Sequence, residues 1–157
     1  FPDLSHFGMN CIFDKTILVN ITGTYNMCKA VLKDMIKNKS GRIVNVSSAA
    51  GIHGTGGKAP YSASKAAINS FTKALAREVG KQGIIVNSVC PGVIVTPMTV
   101  NGGAAVEGSP FNKWWQENCP MGRIGEAEET AKLILFFSCE DSGFITGQSI
   151  LQDGGFV

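Results

Sequence analysis

At 157 residues the chain is long enough for one domain with a sizeable core, and 44% hydrophobic with 17% charged residues is an ordinary globular composition. Fourteen basic against twelve acidic side chains leave a net charge of +2 without a basic stripe, which argues against nucleic acid as a partner. No stretch reaches the ~18–20 apolar residues of a membrane helix, and the first residues lack a basic region followed by an apolar one, so neither a membrane anchor nor a secretory leader is predicted.

In chain order, Ile17, Ile21, Cys28, Val31, Leu32, Met35 and Ile36 recur mostly at three- and four-residue steps, which predicts an amphipathic helix from Cys11 to Asn38, closed by Lys37, Lys39 and Gly41. Arg42 to Ser47 is short and rich in β-branched residues, the pattern of a buried strand. Gly51 to Pro60 holds four glycines and is expected to be loop. A second helix is predicted from about Tyr61 to Val79: Ala63, Ala66, Ala67, Ala74 and Ala76 favour helix, Ile68, Phe71, Leu75 and Val79 form its apolar stripe, and Gly80 and Gly83 stop it. Ile84 to Cys90 is the next strand, ended by Pro91-Gly92. Val93 to Pro110, with Pro97, Pro110 and Asn101-Gly102-Gly103, is too irregular for a long helix.

A short helix at Phe111 to Asn118 precedes a longer one at Glu126 to Cys139, whose acidic start (Glu126, Glu128, Glu129) suits the helix dipole. Ser149 to Gln152 is the last strand, before the turn Asp153-Gly154-Gly155. Helix alternating with strand predicts an α/β fold, a parallel sheet covered by helices, with no internal repeat. Cys11, Cys28, Cys90, Cys119 and Cys139 form no CxxC or Cys/His cluster, so no metal site is expected, and a reduced, cytoplasmic setting is. Asn20-Ile21-Thr22 and Asn45-Val46-Ser47 match the glycosylation pattern but fall inside regular elements, and are read as chance.

Tyr61 and Lys65 are four apart on one predicted helix, which puts both side chains on the same face one turn apart. A free phenol, with a pKa of about 10, is a poor acid or base at neutral pH, and a neighbouring ammonium favours the phenolate. The pair suits proton exchange with a carbonyl or alcohol; a solvated helix face is the other reading. Ser48 ends the preceding strand thirteen residues before Tyr61, at the carboxyl edge where open α/β sheets bind ligands. The segment Pro91-Gly92-Val93-Ile94-Val95-Thr96 follows the next strand at that edge, and Asn20 interrupts an apolar run on the first helix. Ser47 and Ser48 point to opposite sides of a strand, so only one faces the site.

Together, Val19-Asn20-Ile21-Thr22-Gly23, Gly41-Arg42-Ile43-Val44-Asn45-Val46-Ser47-Ser48, Tyr61-Ser62-Ala63-Ser64-Lys65, Val86-Asn87 with Pro91-Gly92 and Thr96, and Asp153-Gly154-Gly155 resemble the short-chain dehydrogenase/reductase family from about Asp14 onward. The resemblance implies the second half of a Rossmann-like doubly wound parallel sheet with helices on both faces. It implies Tyr61 as general acid/base and Ser48, by its spacing to Tyr61, as the hydroxyl that polarises the substrate oxygen, leaving Ser47 a structural role. By the same resemblance Lys65 lowers the tyrosine pKa and binds the nicotinamide ribose, and Asn20 holds a water in the proton relay. Tyr61, Lys65, Pro91, Gly92, Ile94 and Thr96 are the implied contacts of an NAD or NADP cofactor.

Gly54-Thr55-Gly56-Gly57-Lys58-Ala59 fits a relaxed dinucleotide pattern with Glu78 about twenty residues on, yet the stretch from Ala49 to Pro60 separates strand from helix too widely for a phosphate turn. The glycine-rich strand-turn-helix and the Asn-Asn-Ala-Gly turn with which the family opens are not in the chain, so residues 1–157 read as one partial, carboxyl-terminal domain whose first strand lacks a neighbour. Such a piece is expected to be poorly stable, to aggregate or to need a partner. His53 in the loop and His6 are read as solvated. Trp114, Trp115 and Phe111 fall in the family's substrate-covering segment, where shaping the pocket and packing the lid are equal readings.

The leading expectation is an NAD(P)-dependent ketone reductase or secondary-alcohol dehydrogenase acting on a small molecule, similar to 3-oxoacyl-[acyl-carrier-protein] reductases or to sugar, polyol and steroid dehydrogenases. The alternative is a non-catalytic fragment serving as a binding or oligomerisation module. Homo-oligomers, dimers or tetramers, are implied because the helices at Cys11 to Asn38 and Tyr61 to Val79 resemble those through which relatives associate.

Overall fold

The computed structural model describes residues 9–157, with side chains from Ile12 onward; His6 and the Cys11 side chain lie outside the described residues. The helix predicted for 11–38 runs as α1 (Met9–Ile17) and α2 (Gly23–Asn38), joined by one turn of π-helix over Leu18–Thr22. It ends on Lys39, which takes the left-handed conformation (φ 50°) while Lys39 and Ser40 donate to the Ile36 and Met35 carbonyls. Gly41, expected to stop this helix, is instead the first residue of β1 (Gly41–Val46), where a side chain would collide with Met35.

Loop was expected from Gly51 to Pro60, yet its first residues form a single turn, α3 (Ala50–His53). Helix α4 (Ala59–Val79) begins two residues earlier than predicted because Pro60, with no amide hydrogen to lose, fits the first turn. There follow β2 (Ile84–Pro91), β3 (Ile94–Val95), α5 (Pro97–Asn101), α6 (Pro110–Asn118), β4 (Gly125–Glu126), α7 (Ala127–Ser138) and β5 (Ser149–Gln152). Periodicity does not reveal pieces as short as α3, α5, β3 and β4. The capping signals do in part: Thr96 and Ser109 accept from the amides three residues on and start α5 and α6.

The main sheet is parallel, in the order β1-β2-β5, with Gly41 opposite Ile84 through Val46 opposite Val89, and Ser88 opposite Ser149 through Pro91 opposite Gln152. Strand β2 is central, and Ile84, Val86, Val89 and Cys90 on it are at most 1% exposed, as parallel strands covered on both faces are. On one face, Ile43, Ile84 and Val86 pack with Cys28 of α2 and Leu75, Ala76 and Val79 of α4. Arg42, pointing the other way, reaches the Ser142 hydroxyl just past α7, which covers the opposite face. Among the described residues β1 is paired on one side only, and Val46 near its end is 48% exposed. A smaller apolar cluster of Trp115, Cys119 and Ile124, with Val93, Val95, Ala105 and Phe156, joins α6 to the β3–β4 pair and the last residues.

Candidate active site

Helix α4 starts at the carboxyl edge of the sheet and carries Tyr61 in its first turn and Lys65 in its second. The Lys65 ammonium lies 5.7 Å from the centre of the Tyr61 ring and donates to the Val46 carbonyl at 3.0 Å. Adjacent residues of a strand direct their backbone groups to opposite edges. Ser47 donates to Val89 on β2, so the Val46 carbonyl faces the unpaired edge of β1, and Lys65 covers that edge. Burial pushes the Lys65 pKa below its usual value, opposed in part by the nearby Cys90 thiol. A charge so placed acts through a poorer dielectric than water and bears more strongly on its neighbours.

An alanine-rich helix offers little shape to fix its register, and α4 is fixed by polar groups instead. Asn20 sits in the middle of the π-turn, where the extra residue aims its amide at α4; Nδ2 donates to the Ser64 hydroxyl at 2.9 Å, and Ser64 donates to the Tyr61 carbonyl at 2.7 Å. Asn20 thereby reaches the backbone of Tyr61's own turn. Farther along, Asn45 of β1 donates to the Thr72 hydroxyl at 2.9 Å and accepts from the Cys28 thiol at 3.6 Å. Both sequon asparagines are thus engaged inside the fold.

The two serines separate as strand geometry requires. Ser47, 3% exposed, donates to the Lys65 carbonyl at 2.8 Å and is spent holding α4 against β1. Ser48 is half-buried between the carboxyl ends of β1 and β2: its hydroxyl accepts from the Ala50 amide at 3.2 Å and lies 3.5 Å from the Pro91 carbonyl. It opens the turn α3, whose Gly51 packs directly on α4. A Cβ on Gly51 would sit 2.6 Å from the Lys65 carbonyl carbon and 2.8 Å from the Ala66 nitrogen, so glycine is required there. Gly51 and Ser64 thus both meet the turns of α4 that carry Tyr61 and Lys65; only Ser64, three after Tyr61 on the same helix, has a spacing that signals this in the sequence.

At the end of β2, Gly92 donates to the Gln152 carbonyl at 2.8 Å and packs against Asp153, where a Cβ would come within 2.8 Å. Val93 accepts from the Gly125 amide of β4, so the Ile94 amide faces away from β4, and the Ile94 carbonyl accepts from the Thr99 hydroxyl at 2.6 Å. The Thr96 hydroxyl, expected to reach a cofactor, is engaged as the cap of α5, 3.3 Å from the Thr99 amide and 3.1 Å from its hydroxyl. Trp115, 6% exposed, stacks on Phe156 at 4.4 Å and donates to the Arg123 carbonyl, which makes it packing; Trp114 is 46% exposed. His53 is exposed, edge-on to Phe156 at 6.5 Å.

The glycine-rich stretch Gly54 to Ala59 joins α3 to α4 rather than a strand to a helix, and Gly54, Gly56 and Gly57 face open space. Close approach to a phosphate is not what these glycines serve; Gly54 and Gly57 have positive φ (73° and 75°), and a turn explains them. Cys28, Cys90, Cys119 and Cys139 are free thiols, and no described helix is long and apolar enough to cross a membrane.

Comparison with known proteins agrees with this architecture. Residues 10–157 match the family described as Enoyl-(Acyl carrier protein) reductase. The chain is 41% identical over 145 residues to a 3-oxoacyl-[acyl-carrier-protein] reductase of Chlamydia trachomatis, covering 92% of this chain and 56% of that protein. The crystal structure of a 3-oxoacyl-[acyl-carrier protein] reductase from Brucella melitensis superposes with a TM-score of 0.80 at 37% identity, over 88% of this chain and 50% of that one. A gluconate 5-dehydrogenase from Burkholderia cenocepacia, solved in complex with NADP and tartrate, gives 0.82 at 30% identity, over 99% and 57%. The chain thus spans about half the length of these relatives. It belongs to the short-chain dehydrogenase/reductase family of oxidoreductases, on the side of the 3-oxoacyl-[acyl-carrier-protein] reductases.

Proposed function

We propose that this chain carries the proton-transfer half of an NAD(P)-dependent enzyme that interconverts a ketone and a secondary alcohol, with a 3-oxoacyl thioester as the substrate class. The observation that carries the reading is the Tyr61–Lys65 pair on α4, with the ammonium 5.7 Å from the ring and its pKa lowered by burial, together with the Ser48 hydroxyl at the carboxyl edge of the sheet. The substrate class comes from the relatives named 3-oxoacyl-[acyl-carrier-protein] reductase and acetoacetyl-CoA reductase.

In the reducing direction Ser48 holds the ketone oxygen by a hydrogen bond and Tyr61 delivers its phenolic proton to that oxygen as the carbonyl carbon is reduced. Lys65 stabilises the phenolate that remains, and Asn20 supports the turn of α4 from which Tyr61 acts. A nicotinamide cofactor, when bound, supplies the hydride. The residues present fit its nicotinamide half: the outward Ile94 amide suits a carboxamide, Pro91 and Gly92 bring backbone to the sheet edge, and the Lys65 ammonium, which donates to the Val46 carbonyl, has further hydrogens for a ribose hydroxyl. Thr96 fits less well, because its hydroxyl already caps α5. The adenosine half, and with it the choice between NAD and NADP, is assigned to polypeptide outside this chain.

Phenylalanine at 61 keeps the ring and removes the proton. In the full-length product of the gene, Tyr61→Phe is expected to lower turnover by about 10²- to 10⁴-fold while NADPH affinity, followed by fluorescence, is retained. Turnover within a few-fold of the parent would sink the mechanism. A non-catalytic binding or oligomerisation module is the second reading, favoured by the exposed Ile12, Leu18, Val19 and Met27 on the outer side of α1 and α2.

A further inference from the structure

Asn69 lies one turn beyond Lys65, so Tyr61, Lys65 and Asn69 form one stripe on α4 at four-residue steps. Nothing in the chemistry above uses it, yet its amide meets two other elements. Nδ2 donates to the Gly51 carbonyl of α3 at 3.3 Å, and Oδ1 faces the Ser88 hydroxyl at 3.2 Å and the Cys90 thiol at 3.4 Å on β2. The Ser88 and Ser149 hydroxyls, 2.8 Å apart, carry the network on to β5. The amide's orientation is fixed by its partners, since the reverse would set its oxygen against the Gly51 carbonyl.

The bond to Gly51 matters because of what Gly51 holds. Turn α3 follows directly on Ser48, and the Gly51 amide donates to the Ser48 carbonyl at 2.9 Å. Gly51 approaches the Lys65 turn closely, and a steric contact of that kind limits distance but by itself leaves freedom of direction along α4. A hydrogen bond from Asn69 removes that freedom, because it is directional. Displacement of a reacting group by an ångström costs on the order of 10²-fold in rate.

We infer that Asn69 is a positioning residue: by gripping the Gly51 carbonyl it sets Ser48 against Tyr61 and Lys65. The inference rests on the assignment of Ser48 and Tyr61 made above. The bland alternative is that Asn69 only satisfies buried polar groups, in which case its loss lowers stability and leaves the folded enzyme's chemistry alone.

The test is made in the full-length gene product with NADPH and acetoacetyl-CoA as the probe. Asn69→Ala is expected to lower kcat by about ten-fold or more and to leave KM for NADPH within about two-fold. Asn69→Asp, which nearly keeps the shape but turns an acceptor towards the Gly51 carbonyl, is expected to lose kcat likewise, and serves if the alanine variant does not fold. Ser88→Ala cuts the link to β2 and keeps the one to Gly51, so its kcat stays within about two-fold. Thr72→Val removes another buried tether on the same helix and is expected to lower the melting temperature without lowering kcat. Tyr61→Phe is run beside them. If it is inactive while Asn69→Ala or Asn69→Asp keeps kcat, the inference alone falls. If Thr72→Val or Ser88→Ala loses kcat as Asn69→Ala does, the role is merely structural and the inference falls. An active Tyr61→Phe overturns the underlying assignment and the inference with it.

Discussion

Helix α4 and the α1–α2 stretch are both amphipathic and both lie over the same face of the sheet, but they are held differently. On α4, Ser64, Ile68, Thr72, Leu75, Ala76 and Val79 are buried, and three side chains from two other parts of the chain grip it: Asn20 at Ser64, and from the end of β1 Ser47 at the Lys65 carbonyl and Asn45 at Thr72. Among the described residues of α1–α2 only Cys28 is buried, while Ile12, Leu18, Val19 and Met27 are 59–69% exposed. Apolar contact is non-directional and lets a helix slide, whereas hydrogen bonds fix its register. The helix that carries Tyr61 and Lys65 is held by the larger set of side-chain hydrogen bonds, while α1–α2 joins that set through Asn20 and Cys28. The other shows an apolar outer side together with the unpaired edge of β1, more than solvent-facing elements ordinarily leave open. We propose that both are covered when the chain is joined to the rest of its protein.

The contrast can be broken at several points. Gly51→Ala is expected to have the largest effect, about 1–3 kcal/mol of lost stability in urea unfolding, because the new methyl meets α4 backbone that cannot move aside. A loss below about 0.5 kcal/mol would mean that α3 and α4 are not in close register. Thr72→Val strands the Asn45 amide at a site 6% exposed, with an expected cost of about 1–2 kcal/mol in the same measurement. On the other helix the expectation reverses. Leu18→Lys with Met27→Lys should leave unfolding within about 0.5 kcal/mol of the parent chain, while light scattering reports less association. The unaltered 157-residue chain is expected to self-associate, and a monodisperse sample with a cooperative melt would remove the outer face from the comparison.

The long elements were legible because period and length announce them: the helices at 11–38, 61–79 and 126–139 and all three strands of the main sheet appear within a residue or two of their expected bounds. The π-turn around Asn20 was not, since inserting one residue into a helix leaves no compositional mark, though a polar residue within an apolar run drew attention to the right position. The short turn α3 was hidden by the glycines around it; Gly51 is there for close packing rather than for flexibility. Tyr61, Lys65 and Ser48 were singled out by spacing and by resemblance; Tyr61 and Lys65 share a face at the start of α4, and Ser48 lies at the carboxyl ends of β1 and β2. What spacing does not carry is the supporting set, Ser64, Gly51 and Asn69, with partners 14 to 44 residues away in sequence and adjacent only after folding.

The smallest effect is expected from pH, because among the groups that hold α4 Lys65 is the one that changes charge. Burial lowers its pKa, so between the folded value and the ordinary value of about 10.4 the unfolded chain binds more protons than the folded one, and stability from this group rises with pH across that window. Below the folded value the cost of the buried charge is present in full. Cys90 and Cys28 act in the opposite sense: burial raises their pKa values, their contribution is whole below about 8.5, and it is lost as pH climbs through the raised values. The alkaline profile of the parent chain is therefore a difference of two slopes. Lys65→Met deletes one of them, and urea midpoints measured from pH 7 to about 10.5 should fall more steeply for the variant than for the parent. Parallel profiles would show that the ammonium is solvated, and α4 would then owe none of its placement to the bond between Lys65 and the free edge of β1.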